Sequence, residues 1–377
     1  SYATKSQKES YFEDLENFFI KNNEPYTKIL IPNNSKLSKR VYEKSLKAYV
    51  IELSSIDNIV SESKILIKNI KLIFYILVND EIIFKEKLFL IYGILDAKSI
   101  SDLRIFEQIN KISKKNEIKN IFIPFEGHIY ERLICENINK KIFAFQIAPL
   151  FLGTFSIKNL TDAQIPDVLI TLSHYYKYKY EALFPDKKNN IFSRGNKNFN
   201  NVKNIVFKPN QDINIVLSPE GIYEEVFLFI DFVAEKINYN KKINLYISLH
   251  PIIDINLINN YLKKYANLKF TVLKNADFIS STNTFSLYSG SSSIIKHMAN
   301  GYIPLYFDRN FDEINPLYEY KKYIPSISYK NSFTETIDNF SRNFIDERYI
   351  YQNKIDEIIN LIEPTKEDTY FKIFNNN

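Results

Sequence analysis

Three groups in this 377-residue chain have types and placement suited to chemistry: His250-Pro251, Gly290-Ser291-Ser292-Ser293 and Glu126-Gly127-His128. His250 closes the apolar run INLYISLH. An imidazole at a strand end can hydrogen-bond a departing phosphate and offset its growing negative charge. The serine cluster follows FSLYSG and opens a helical stretch, where free backbone N–H groups and the dipole favour an anion. Gly290 permits close backbone approach there, and the hydroxyls add donors. Glu126 follows the run IFIPF, and a carboxylate facing a cleft can take the proton that an attacking hydroxyl must lose. The plain alternative for Glu126 is an acid placed well at a helix N-terminus.

Other residues border the same crevice. Gly127 and His128 sit where a donor molecule would be touched, and His128 could instead orient the Glu126 carboxylate. Glu131 and Arg132 are assigned to the solvated face of the following helix. Ser218-Pro219-Glu220-Gly221 ends another apolar run; Pro219 and Glu220 suit a helix start, while Glu220 or the Gly221 amide could also contact donor. Glu313, beyond YIPLYF, could accept from ribose hydroxyls. No metal site is expected: no Asp-x-Asp stands at a strand end, and His128, His174, His250 and His297 are dispersed. A Gly-x-Ser-x-Gly elbow is absent as well.

Positioning these groups requires strands that end together. IKNIFIPF, KIFAFQIAP and DVLITLS alternate with helical stretches, and so do NIVLSPEG, INLYISLHP, LKFTVLK, FSLYSGS and YIPLYF. Such alternation predicts parallel sheets covered on both faces, hence an α/β protein with two Rossmann-like domains whose ligand lies beyond the strands' carboxyl ends. The Asn- and Lys-rich segment 186–204 is the best boundary. We therefore expect a domain over 1–200, a nucleotide-sugar-binding domain over 201–340, and a helix in 341–377, about Asp346 to Ile362, crossing back onto the first. Nearer the start, residues 6–22 read as an amphipathic helix, KILIP, AYVIEL and KLFLIYGIL as strands, the latter two buried, and Ser101 to Lys115 as a helix. Ile65 to Asp80 fits either period, and a further helix is expected from Asn315.

Composition narrows the class. Hydrophobic content of 45% and charged content of 25% are those of a globular protein. The net charge of +5 is mild and its lysines lie among acids, which disfavours nucleic acid as a partner. Surface lysines leave room for peripheral contact with an anionic membrane face. Cys135 is the one cysteine, so no disulfide forms within the chain and a reducing compartment fits. The uncharged core of the most apolar early stretch, Leu72 to Val78, is far shorter than the ~20 residues of a spanning helix.

Taken in order, Glu126-Gly127, Leu249-His250-Pro251, and Gly290 to Ser293 with Gly301-Tyr302-Ile303-Pro304 resemble the acidic-Gly, His-Pro and Ser-Ser motifs of GT-B-fold bacterial sialyltransferases and capsule polysialyltransferases. The similarity covers about Ile118 to Phe307. It implies an inverting, metal-independent glycosyltransferase without a cofactor, moving sialic acid or a related ulosonate from a CMP-sugar donor to a glycan acceptor of capsule or lipooligosaccharide. It implies Glu126 as general base, His250 as the group that stabilises or protonates the leaving phosphate, and Ser291, Ser292 and Ser293 as phosphate binders. A cytoplasmic protein, peripheral to the inner membrane or held in a polysaccharide assembly complex, would follow. Phe125 stands where many members carry a second acid, so Glu220-Gly221 remains an alternative for the acidic-Gly role. A UDP- or GDP-sugar donor, or a non-catalytic glycan-binding shell of the same fold, remains open beside this reading.

Overall fold

The computed structural model describes residues 12, 15–30, 48–50, 59–114, 117–195, 202–208, 211–237, 243–250, 253–273, 279, 282–310, 312–331, 333 and 335–343, with residues 353, 357, 370 and 373. Within them the chain folds as two Rossmann-like α/β units, each a sheet of parallel strands flanked by helices. The first sheet runs β3-β4-β5-β6, formed by β3 Asn120–Phe125, β4 Lys141–Gln146, β5 Val168–Thr171 and β6 Ile191–Ser193. The second runs β12-β11-β10-β7-β8-β9, from β7 Ile213–Leu217, β8 Ile243–Ser248, β9 Phe270–Leu273, β10 Thr284–Tyr288, β11 Ile303–Phe307 and β12 Ser326–Ile327. A separate pair, β1 Lys28–Leu30 and β2 Ala48–Val50, lies outside both.

Burial explains why these segments became central strands. Every residue of VLIT in β5, TFSLY in β10 and IPLYF in β11 is buried, as continuous apolar runs covered on both faces should be. Helix α8, Tyr223–Lys236, buries Val226, Phe229, Ile230 and Val233, the i, i+3, i+4, i+7 stripe that turns one helix face to a sheet. Phe232 of the same helix stacks on Phe307 at 4.2 Å. Burying each such ring contributes about 1.5–3 kcal/mol. Near the chain's end, Tyr370 and Ile373 are buried with Leu15, Phe143 and Phe145 against the first sheet.

Helices α1 Leu15–Lys21, α2 Ile59–Val78, α3 Phe84–Leu95 and α4 Ala97–Ser113 precede the first sheet. Ile65 to Asp80, which fitted either period, lies in α2 and the turn after it. KLFLIYGIL, expected as a buried strand, is instead helix α3, and none of that helix's residues is buried. A short apolar run has no period that separates helix from strand, and Leu, Lys and Glu favour helix. Part of the polar segment 186–204 is built into the first sheet as β6. The helix expected from Asn315 is replaced by two short turns of 3-10 helix, Asp312–Ile314 and Tyr318–Tyr323. Of the helix expected over 346–362, only residues 353 and 357 are among the described residues.

The two units meet through loops and a helix that follow strand ends. Gly153, beyond β4, donates its N–H to the Glu313 carbonyl beyond β11 at 2.8 Å. Glu319 accepts from Tyr175 Oη and Lys179 Nζ of α7, His174–Leu183, which follows β5. The carboxyl edges of both sheets therefore face the same crevice.

Candidate active site

The second sheet fixes where a ligand can enter. From β7 the chain steps outward to β8 and β9, then returns on the other side for β10, β11 and β12. The switch point is thus between β7 and β10, and the crevice beyond it is where open α/β sheets bind ligands. Two loops flank it: Ser218 to Gly221 after β7, and Ser289 to Ser292 after β10, which leads into α10, Ser293–Ala299.

Glu220 and Gly290 interlock across this point. A Cβ added at residue 290 would collide with Glu220 Oε1 and come within 3.0 Å of Ile314 Cδ1. A larger residue here would require the Glu220 carboxylate to move from this position. Burial raises the Glu220 pKa, and Arg309 pulls the other way. The Glu220 N–H donates to Glu225 Oε2, while Glu225 Oε1 lies 3.3 Å from Arg309 Nη1. Glu225 is itself buried, and burial raises its pKa too.

Behind the loops, Ser218 Oγ, Ser286 Oγ and His297 Nδ1 form a buried ring of contacts of 2.9, 3.0 and 2.7 Å. Burial, helped by Lys296, holds the His297 pKa down at about 3. The imidazole is therefore neutral and serves to tie α10 to the end of β7. In front, Ser291 Oγ and Ser293 Oγ hydrogen-bond each other at 2.7 Å. Ser292 is exposed at the N-cap with no side-chain cap bond. Ser289 Oγ and Asn315 Nδ2 are buried without a hydrogen-bond partner among the described residues.

The first unit builds a similar loop by a similar device. Glu131 Oε2 accepts from the N–H groups of Glu126 at 2.8 Å and His128 at 2.9 Å. This corrects the assignment of Glu131 to a solvated face: it is fully buried, and desolvation raises its pKa. Gly127 has φ +78°, and a Cβ there would stand 2.9 Å from both Ile157 Cδ1 and Ser156 Oγ. Ser156 Oγ donates to the Glu126 carbonyl at 3.1 Å. The loop thereby presents Glu126 Oε2 to His128 Nε2 at 3.0 Å, each side chain 34% exposed.

His250 lies two residues beyond β8, on the side of β7 away from the switch point. Although exposed, it is crowded enough that desolvation lowers its pKa from the ordinary 6.5. Its carbonyl accepts from the Ile253 N–H at 3.0 Å. Pro251 lies outside the described residues. Glu313 is exposed, and its backbone rather than its carboxylate makes the contact to Gly153. Gly221 is half-buried beside Glu220. Among the described residues no group of three or more His, Cys, Asp or Glu is arranged to hold a metal ion.

No protein-family model and no curated protein matches the sequence. Its likeness is to solved structures. The S. aureus MnaA-UDP co-structure covers 93% of this chain and 94% of its own, at 11% identity and a TM-score of 0.48. Acinetobacter baumannii MurG covers 96% and 92%, at 8% identity and a TM-score of 0.47. A GtfA/B complex matches 72% of this chain at 11% identity and a TM-score of 0.40, and this chain spans only 60% of that one. The chemistry must be argued from this chain's own residues.

Sequence reasoning singled out Glu126, Glu220 and Gly290 but missed Glu131, Glu225, Arg309 and His297, which hold them in place. A signal for two of these was present. EGHIYE at 126–131 and EGIYEE at 220–225 each put a second glutamate five residues after the loop glutamate.

Proposed function

We propose that the chain is an inverting GT-B glycosyltransferase that transfers sialic acid or a related ulosonate from a CMP-sugar to a bacterial surface glycan. The observation that carries the reading is the Glu220–Gly290 interlock at the switch point, with the Glu126–His128 pair beyond a strand end of the other sheet. A half-buried carboxylate beside serine hydroxyls suits a sugar nucleotide, while a carboxylate one third exposed on the opposing unit suits an acceptor hydroxyl.

In this reading Glu126 takes the proton from the acceptor hydroxyl as its oxygen bonds to the anomeric carbon. The bond from that carbon to the phosphate oxygen breaks, and CMP leaves with the electron pair. His250 donates a hydrogen bond to the phosphate, or its proton when charged, and Ser291, Ser292 and Ser293 hold the phosphate oxygens. Inversion follows from attack opposite the departing group. Glu220, the Gly221 amide and Glu313 would contact the nucleotide on the second unit, and Gly127 and His128 would meet the donor from the first. The reading calls for neither a cofactor nor a metal. No described helix is long and apolar enough to cross a membrane, and a cytoplasmic, peripheral placement belongs to the same proposal.

Thermal stabilisation by CMP against UDP and GDP tests it, because a ligand of the folded state raises the melting point. CMP is expected to stabilise selectively, and His250→Ala to weaken the effect while cutting transfer. Selective stabilisation by UDP or GDP would overturn the donor assignment; no response to any nucleotide would overturn the enzyme reading in favour of a non-catalytic glycan-binding shell.

A further inference from the structure

Helices α2 and α3, joined by the turn at 79–83 and packed on each other and on α4, lie outside both sheets. Only Ile65, Asn69 and Ile76 are buried in the described part of α2, and nothing in α3 is. Yet Phe74, Tyr75, Phe84, Phe89 and Tyr92 are 61% to 75% exposed, and ten Leu, Ile and Val side chains between 66 and 95 are exposed with them. At ~150–250 Å² per aromatic side chain, the five rings alone present on the order of 700 Å². A stable protein interface buries about 800 Å² per partner, so the hairpin carries enough apolar surface for one. A patch of this extent marks an interaction site.

We infer that the α2–α3 hairpin is the contact surface for a second copy of this chain, the two hairpins packing antiparallel about a two-fold axis.

Three observations select this occupant. At about 100° per residue, Leu66, Ile67, Ile70, Phe74, Leu77 and Val78 form one arc of α2. That arc is palindromic: Leu66 mirrors Val78, Ile67 mirrors Leu77 and Ile70 mirrors Phe74 about residue 72, as an isologous antiparallel contact requires. Charge repeats the symmetry. Lys64 stands toward one end of the helix and Asp80, its mirror about residue 72, just beyond the other with Glu81 beside it, so antiparallel packing brings opposite charges together at both ends, while Lys68 pairs with Glu107 of its own chain. Finally, apolar groups emerge from different sides of α3: Phe84, Leu88 and Leu95 share one face and Leu90 lies on another. A bilayer surface would cover one side, and insertion of the hairpin tip-first would bury Asp80 and Glu81. A paired hairpin covers several faces and keeps the turn in water.

Sedimentation of the full chain across micromolar concentrations tests this, with far-ultraviolet circular dichroism to show that each variant is folded. The wild type is expected to dimerise, and Phe74→Glu to raise the dissociation constant roughly 30-fold or more, the mark of a central apolar anchor. Lys64→Glu is expected to weaken the dimer and Asp80→Lys, added to it, to restore it. A wild type that stays monomeric, including one that floats with anionic phospholipid vesicles only when Phe74 is intact, would overturn the inference. A double charge variant no better than Lys64→Glu would overturn the antiparallel arrangement.

Discussion

Glu131 and Glu225 are buried carboxylates whose work is structural: Glu131 accepts two backbone N–H groups, and Glu225 one, of a loop that carries another glutamate. Replacing Glu131 by Ala leaves two donors without their acceptor, at about 1–3 kcal/mol each. Chemical denaturation should register that loss, and transfer should fall because Glu126 is no longer held. Glu131→Gln separates charge from shape. Burial raises the Glu131 pKa above its ordinary 4.5, so the folded state keeps a proton that the unfolded state releases. Its contribution is therefore greatest below 4.5 and declines as pH rises toward the folded value. The decline in wild-type stability through this window should be smaller in Glu131→Gln; an identical decline would show that Glu131 does not titrate as described. Gly290→Ala should swing the flexible Glu220 carboxylate out of its place at little cost in stability, and should weaken nucleotide-induced stabilisation. At this scale the sequence showed which residues carry chemistry and not which support them. A helical wheel sets Glu131 beside Ile134, Cys135 and Ile138, so the apolar face of its own helix, like the pairing of EGHIYE with EGIYEE, argued against a solvated position.

At the scale of elements, the strands of both sheets were legible because burial on two faces demands continuous apolar runs, as in TFSLY and IPLYF. The same logic failed for KLFLIYGIL, an apolar run with no buried residue in the helix it forms. A sequence records that a segment is apolar, and not whether its cover comes from the same chain. The serine loop gives the element-scale prediction. Ser292 stands at the N-cap of α10 with no side-chain cap bond, so Ser292→Ala should change stability by less than the ~1 kcal/mol of an ordinary N-cap loss. Ser291→Ala removes the partner of Ser293 Oγ. If the hydroxyls hold a phosphate, both variants should weaken CMP binding, measured by calorimetry, with Ser292→Ala doing so at unchanged melting point. Undiminished binding in both would remove the serines from the phosphate site.

At the scale of the whole molecule, chemistry shared by two units depends on their staying together, and the contacts of Glu319 and Glu313 are among those that join them. Alternating strands and helices made two units legible, but Glu319 is far in sequence from Tyr175 and Lys179, and no pattern announces that they meet. Burial acts to raise the Glu319 pKa, yet hydrogen bonds from Lys179 and Tyr175 outweigh it and hold the carboxyl below 4.5. A depressed carboxyl stabilises its contact above the ordinary pKa and loses that contribution as pH falls through the folded value. The latch should therefore hold at neutral pH and open only in acid. Glu319→Ala should open it at pH 7, increasing the radius of gyration in small-angle scattering and weakening any ligand that touches both units, with far-ultraviolet circular dichroism unchanged. Acidification should expand the wild type toward the variant and affect the variant less. Equal radii at pH 7 would mean that the Gly153–Glu313 bond and the packing around it suffice to hold the crevice, leaving Glu319 without a part in its closure.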